Sequence, residues 1–158
     1  MAIRIHVGDA ADVETAVSVY ERSNLARRRG VWPNRAARVE WVRGHLRDPA
    51  AWFLVASEGE SPVAMAAAEP LLGEDRAGPP VPGGCFLNLI YVLPERWGEG
   101  IGGSLLDAVL AEAKQRGCSR IHLWTDEDDD RSQGLYRSRG FARTGRVSEG
   151  AGEWAREL

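Results

Sequence analysis

The sequence predicts an α/β (α+β) protein forming a single domain over residues 1–158. Two observations carry that reading. The first is the stretch Leu93 to Leu106, where an apolar run, Phe86 to Val92, gives way to a glycine turn and then to an amphipathic segment. The second is that the rest of the chain switches repeatedly between helical and strand periodicity. A chain of 158 residues can bury about two-thirds of its unfolded surface, enough for one core.

The elements follow in order. Ile3 to Val7 alternates as a strand with one buried face, and Gly8 and Asp9 break it. Asp12 to Arg28 has helical spacing through Val13, Ala16, Val17, Tyr20 and Leu25, with Asp9 or Asp12 as N-cap. Arg27, Arg28 and Arg29 close it, either as a cationic helix end or as a contact to an anionic group. A second helix runs from Arg35 to Leu46, and Asp48-Pro49 stops it. Ala51–Ser57 and Pro62–Glu69 read as strands joined by the turn at residues 58–61. Gly73 to Gly84, with three prolines and four glycines, reads as a mobile hairpin loop.

Phe86 to Val92 is the strand that feeds the glycine turn, and Asn88 is its one strongly polar side chain. A third helix spans Ile101 to Arg116 and ends at Gly117. Ile121 to Thr125 is the next strand, with His122, Trp124 and Asp126 on one face. The acidic run Asp126 to Asp130 caps the following helix and has more charge than a cap requires, so it also reads as a rim attracting a cationic amine. The last helix, Asp130 to Arg139, stops at Gly140. Phe141–Gly145 and Glu153–Leu158 are expected as closing strands around a turn at Val147–Gly152. Trp154 packs on the core or edges the acceptor site.

Bulk properties exclude several classes. A net charge of −3 offers no basic excess for nucleic acid. No run approaches a membrane span, and the first nine residues lack a signal-peptide core. Cys85 and Cys118 have neither metal-ligand nor disulfide-framework spacing. They read as reduced and half-buried thiols, and a cytoplasmic location follows by default. No metal is expected.

Gly98, Gly100, Gly102 and Gly103 fall within six residues at a helix start. Glycine is costly inside a helix, so this density marks close approach of a ligand to the backbone. Free N–H groups at a helix N-terminus suit a phosphate. The spacing Gly98-x-Gly100-x-x-Gly103 formally matches a dinucleotide fingerprint, but Leu93 to Trp97 separate it from the strand end. A triphosphatase loop needs Lys before Ser104, and Gly103 stands there.

Val92-Leu93-Pro94-Glu95-Arg96-Trp97-Gly98-Glu99-Gly100-Ile101-Gly102 resembles the acetyl-CoA loop of the GCN5-related N-acetyltransferase (GNAT) family, R/Q-x-x-G-x-G/A. Leu135-Tyr136-Arg137-Ser138-Arg139-Gly140-Phe141 resembles that family's L-Y-x-x-x-G-F segment. The resemblance implies a mixed, mostly antiparallel central sheet of six to seven strands with helices on both faces. Trp97 stands where the family often has Arg or Gln, with Arg96 one place early. Asp129 stands where the family often has a cofactor-touching Asn.

The resemblance implies acetyl-CoA as co-substrate, held by Ile90, Tyr91, Val92, Trp97, Gly98, Glu99, Gly100, Ile101, Gly102, Gly103, Ser104 and Asp129. Backbone N–H at Tyr91 or Val92 would polarise the thioester carbonyl, and the Tyr136 phenol would protonate the leaving thiolate as general acid. The link between the first two helices is implied to lie beside the acceptor, which makes Trp32 either an acceptor wall or a lid over the core. Asn88, Trp124 and Asp126 are further acceptor candidates. His122, Asp126, Glu69, or Asn88 through a water are open as the base. Trp124 occupies the place of a catalytic Glu in protein N-terminal acetyltransferases of this kind, which counts against that substrate. The expected activity is transfer of an acetyl group to a primary amine of a small molecule or peptide, by direct attack. A cationic acceptor and a homodimer are both compatible with the sequence. A non-catalytic acyl-CoA-binding module or sensor is the alternative, disfavoured by the intact Tyr136.

Overall fold

The computed structural model describes residues 2–73 and 77–158. Its strands are β1 (Ile3–Val7), β2 (Trp52–Glu58), β3 (Ser61–Leu72), β4 (Pro80–Val92), β5 (Arg120–Asp126), β6 (Ala142–Ser148) and β7 (Ala151–Glu157). Among the described residues the α-helices are α1 (Val13–Arg27), α2 (Arg35–Arg47), α3 (Ile101–Gln115) and α4 (Asp130–Ser138). Short 3₁₀ turns at Ala10–Asp12 and Pro94–Arg96 were not expected from the sequence. The strands form one seven-stranded sheet, hydrogen-bonded in the order β1-β2-β3-β4-β5-β7-β6. β4–β5 is a parallel pair, and the β1–β2, β2–β3, β5–β7 and β6–β7 pairs are antiparallel.

Two compact units share these elements. The first comprises Met1–Ala68 with Leu89–Ala108. Here β1, β2 and β3 pair in antiparallel register, Ile3 opposite Glu58 and Trp52 opposite Ala68. β2 and β3 are buried on both faces, so they read as near-continuous apolar runs and not as alternation. Val13, Ala16, Val17 and Tyr20 of α1 and Val39, Val42 and Leu46 of α2 pack with Phe53, Val55, Met65, Ala67, Leu89 and Leu93. Gly8 has to be glycine, because a Cβ there would stand 2.1 Å from the Phe53 ring. Asp9 is the cap: its carboxylate accepts from the Ala11 N–H, and Asp12 answers it in a capping box.

The second unit comprises Glu69–Asn88 with Val109–Leu158. Its parallel ladder is short, from Gly84 opposite Arg120 to Phe86 opposite His122. β7 pairs with β5 along its whole length, Trp124 lying opposite Glu153. Two sequence expectations fail here. Residues 80–84 belong to β4 and not to a loop. Pro80 and Pro82 cost the pairing with β5 nothing, because that ladder starts only at Gly84. Residues 74–76 of the expected loop lie outside the described residues. The closing turn is also tighter than expected, two residues and not six. Glu149 (φ 48°) and Gly150 (φ 81°) both take positive φ, the geometry of a type I′ hairpin turn. A register shift between Arg143 and Val147, with Gly145 at φ 95°, absorbs the difference.

The cysteines also differ from expectation. Cys85 is fully buried and Cys118 partly so. Burial first, and the neighbouring Cys118 thiol second, push Cys85 up to about 12. That thiol is inert at neutral pH.

Candidate active site

In the first unit, the predicted cofactor-binding residues gather on the loop between β4 and α3. Leu93 is buried, and the Pro94–Arg96 turn follows it. Gly98 and Gly100 both have φ 83°, where an L side chain is strained. Around Gly100 the space for a Cβ is open, so the glycine is there for backbone conformation and not to avoid a clash within the chain. The Ser104 N–H bonds to the Gly100 carbonyl and starts the helical ladder. The amides of Ile101, Gly102 and Gly103 precede that ladder and have no intrahelical acceptor. No acidic side chain lies in the first turn of α3 to compete for them. The arrangement fits an anion such as the pyrophosphate of CoA. Ile101, Leu105, Leu106 and Val109 bury the other face of the helix.

Side chains fasten this loop. Arg96 donates to Glu58 at 2.8 Å and to Glu99 at 3.0 Å. The Arg96 guanidinium holds the Glu58 carboxyl below its usual value. The Trp97 indole N–H donates to the Val92 carbonyl at 2.8 Å, with the ring 43% exposed. Arg22 reaches Glu95 at 2.9 Å. Ile90, Tyr91 and Val92 end β4 in the same unit, half-buried. The Tyr91 ring meets Tyr20 edge-on at 5.1 Å, and Tyr20 meets Trp32 edge-on at 5.6 Å. Trp32 is 7% exposed and belongs to the core, yet its indole Nε1 is buried with no hydrogen-bond partner among the described residues.

The second unit holds the remaining predicted residues. Tyr136 is buried on α4, edge-on to Phe141 at 5.8 Å. Asn88 is half-buried in β4, Trp124 half-buried in β5, and Asp126 exposed at the end of β5. Asp129 has its oxygens engaged as the α4 cap: one accepts from the Ser132 N–H at 3.0 Å, the other from the Ser132 hydroxyl at 2.8 Å. Glu127 of the acidic run takes both its bonds from Arg143. Asp126, Asp128 and Asp130 are the exposed acids of that run.

Sequence reasoning missed Glu153. It is 3% exposed, the most buried acid among the described residues. Its Oε2 lies 3.1 Å from His122 Nδ1, and its Oε1 accepts from the Thr144 hydroxyl at 2.7 Å. Arg146 adds a contact at 3.4 Å and covers the Trp124 ring at 5.6 Å. Burial pushes the Glu153 carboxyl up, but Thr144, His122 and Arg146 together outweigh it and leave it below its ordinary value. A carboxylate there keeps the proton of His122 on Nδ1 and leaves Nε2 a bare acceptor. Nε2 is buried and has no partner among the described residues.

The profile of the acetyltransferase (GNAT) family matches residues 15–141. The fold is similar to that of PaiA N-acetyltransferase from Thermoplasma acidophilum, a structure in complex with coenzyme A, with TM-score 0.77 and 15% identity over 100% of both chains. It is similar to the GNAT domain of PAT from S. lividans, with TM-score 0.80 and 19% identity over 99% of this chain and 90% of that one. It is similar to the ribosomal-protein-S18-alanine N-acetyltransferase from Escherichia coli, with TM-score 0.74 and 16% identity over 99% and 94%. At these identities the likenesses show the fold.

Proposed function

Because the chain belongs to the acetyltransferase (GNAT) family, whose members are acetyl-CoA-dependent acyltransferases, we propose that it acetylates a primary amine of a small molecule or peptide by direct attack. The observation that carries this reading is the start of α3: positive-φ glycines, free first-turn amides and no competing acid. Those amides would hold the pyrophosphate, with Trp97, Glu99 and Ser104 around them. When bound, acetyl-CoA supplies an acetyl group activated as a thioester. Backbone N–H at Tyr91 or Val92 donates toward the thioester carbonyl.

The Tyr136 phenol gives its proton to the sulfur as general acid. An amine must lose a proton to attack, and His122 is the base that the local chemistry favours. Glu153 orients it, as a third group orients the base in other acid–base sites. With Glu127 and Asp129 engaged elsewhere, exposed Asp128 and Asp130 are the acids that would draw an ammonium group toward the protein.

The test is a melting curve with excess acetyl-CoA, paired with release of CoA thiol in the presence of an amine panel. A ligand bound only by the native state raises the midpoint by mass action. A midpoint unmoved by acetyl-CoA but raised by NADH or ATP would overturn the reading.

A further inference from the structure

Eight arginines and three glutamates lie between Val13 and Arg47, although the whole chain is net negative. All three glutamates are taken. Glu14 pairs with Arg43 and Arg47, Glu21 with Arg35, and Glu40 with Arg43. Arg22 goes to Glu95. Arg28 and Arg38 meet no carboxylate among the described residues. Each lies over an indole instead, Arg28 at 5.6 Å from the Trp32 ring centre and Arg38 at 4.7 Å from that of Trp41. A guanidinium stacked on a ring keeps its in-plane N–H groups free at the edge, in the fork that matches a carboxylate.

A second observation points the same way. The buried Trp32 Nε1 is also a donor without an acceptor. Arg27, Arg28 and Arg38 all bear electrostatically on the Tyr91 phenol. Tyr91, Tyr20 and Trp32 form a continuous edge-to-face row beneath them. Arg28, Arg38 and the Trp32 Nε1–H are therefore donors that meet no acceptor among the described residues.

We propose that this cluster holds the carboxylate of the acceptor, so that the amine substrate is amino-acid-like. The proposal rests on the transferase reading, because Tyr91 links the two: its ring belongs to the cluster and its backbone N–H is one of the donors assigned to the thioester carbonyl. A carboxylate held beside that ring is within a small molecule's length of the transferred group. Arg28 and Arg38 are specificity residues in this scheme and take no part in proton transfer.

The experiment uses the full chain, acetyl-CoA and matched pairs of amines: amino acids, each beside its carboxamide and its decarboxylated amine. CoA thiol release gives kcat/KM. We expect the carboxylate form to exceed its neutral twins by about tenfold or more, the scale of one lost charge-assisted pair. Arg28→Gln with Arg38→Gln should erase that preference through KM. Arg28 is exposed and Arg38 half-buried, neither in the core, so the variant should melt like the wild type, and the two single variants provide a check. CoA affinity should not change.

If acetyl-CoA binds but no carboxylate form outruns its neutral twin, the inference is overturned and the transferase reading survives. If the double variant loses CoA affinity instead, the arginines serve the cofactor's phosphates and the inference is also overturned. If acetyl-CoA does not bind at all, the transferase reading fails and the inference fails with it.

Discussion

The loop at the start of α3 and the cluster around His122 and Glu153 make opposite demands on the chain. At α3 the groups proposed to meet the ligand are backbone amides, and the side chains nearby hold the loop: Arg96 on Glu58 and Glu99, Trp97 on the Val92 carbonyl. In the other unit the backbone is committed to the β5–β7 ladder, and the groups with chemistry to offer are side chains: His122, Glu153, Thr144 and, on α4, Tyr136. The first region should resist loss of individual side chains and fail when a Cβ is added. The second should keep its shape under isosteric changes and fail when a single atom loses its proton role. Binding and chemistry should therefore separate by mutation.

Tyr136→Phe is the largest expected effect. It removes one oxygen and keeps the ring against Phe141. The kcat should fall roughly 10²–10⁴-fold, the range for a general acid or base, with CoA affinity and melting curve preserved. Turnover within a few fold of wild type in the folded variant would make Tyr136 a core residue and water the proton source.

Gly102→Val is the converse. A side chain at the mouth of the first turn blocks close approach of the pyrophosphate. Losing two charge-assisted amide bonds at about 1.5–3 kcal/mol each corresponds to roughly 10²-fold or more in CoA affinity. Calorimetric titration on the folded variant reads this directly. Wild-type affinity would reduce the loop to a turn and erase the contrast between the regions.

Glu153→Gln sharpens the other side. The amide can still meet Thr144, but its NH₂ can donate to His122 Nδ1 and move the ring proton to Nε2. That tautomer cannot accept a proton where the amine would deliver it. We expect about a tenfold loss in kcat with CoA affinity unchanged, and partial rescue in Glu153→Asp. The same change has a stability signature. The folded Glu153 carboxyl lies below its ordinary 4.5, so its contribution is present above that pH and is lost as pH falls through the folded value. Acid unfolding of the wild type should be steeper there than that of the Gln variant. Equal slopes would mean the charge at Glu153 does not contribute.

The same contrast explains what could be read from the sequence. The glycine loop announces itself because its constraints are local: four glycines in six residues interrupt a strand-to-helix switch whatever the rest of the chain does. The α4 N-cap at Asp129 is equally local, as is Gly140, whose φ of 85° ends the helix one residue past the C-cap Arg139 and not at the C-cap itself. Glu153 left no such trace. Its partners depend on the register of three strands, and that register depends on where the last hairpin turns. With the turn placed at residues 147–152, Glu153 begins a strand and faces no particular residue. With the turn at Glu149-Gly150 it faces the side of β5 that carries His122 and Trp124. The start of β4 was hidden for a related reason: proline density signals a loop, and the sequence does not show that the pairing with β5 begins only at Gly84. The unmatched Arg28 and Arg38 were hidden too, since the sequence counts charges without showing which glutamates are already engaged.

Arg96→Gln should give the smallest effect, and it tests whether the loop's side chains merely support its backbone. The guanidinium ties Glu58, at the end of β2, to Glu99 within the loop. Glutamine keeps some hydrogen-bonding capacity but loses the charge and the fork that spans two carboxylates. Gly98 and Gly100 would then be held in their positive-φ conformations by the Leu93 anchor, the Trp97–Val92 bond and the Arg22–Glu95 pair. A looser loop pays an ordering cost when the pyrophosphate binds, so CoA affinity should fall by roughly two- to fivefold, in line with the modest worth of partly exposed ion pairs. The gap between wild type and variant should narrow only slightly at high salt, because the paired groups lie within one Debye length. The kcat at saturating acetyl-CoA should not move, since no atom of Arg96 is assigned to proton transfer. A fall in kcat as large as that of Glu153→Gln would show that the loop positions the reacting groups as well as the pyrophosphate, and the division between a backbone region that binds and a side-chain region that reacts would have to be given up.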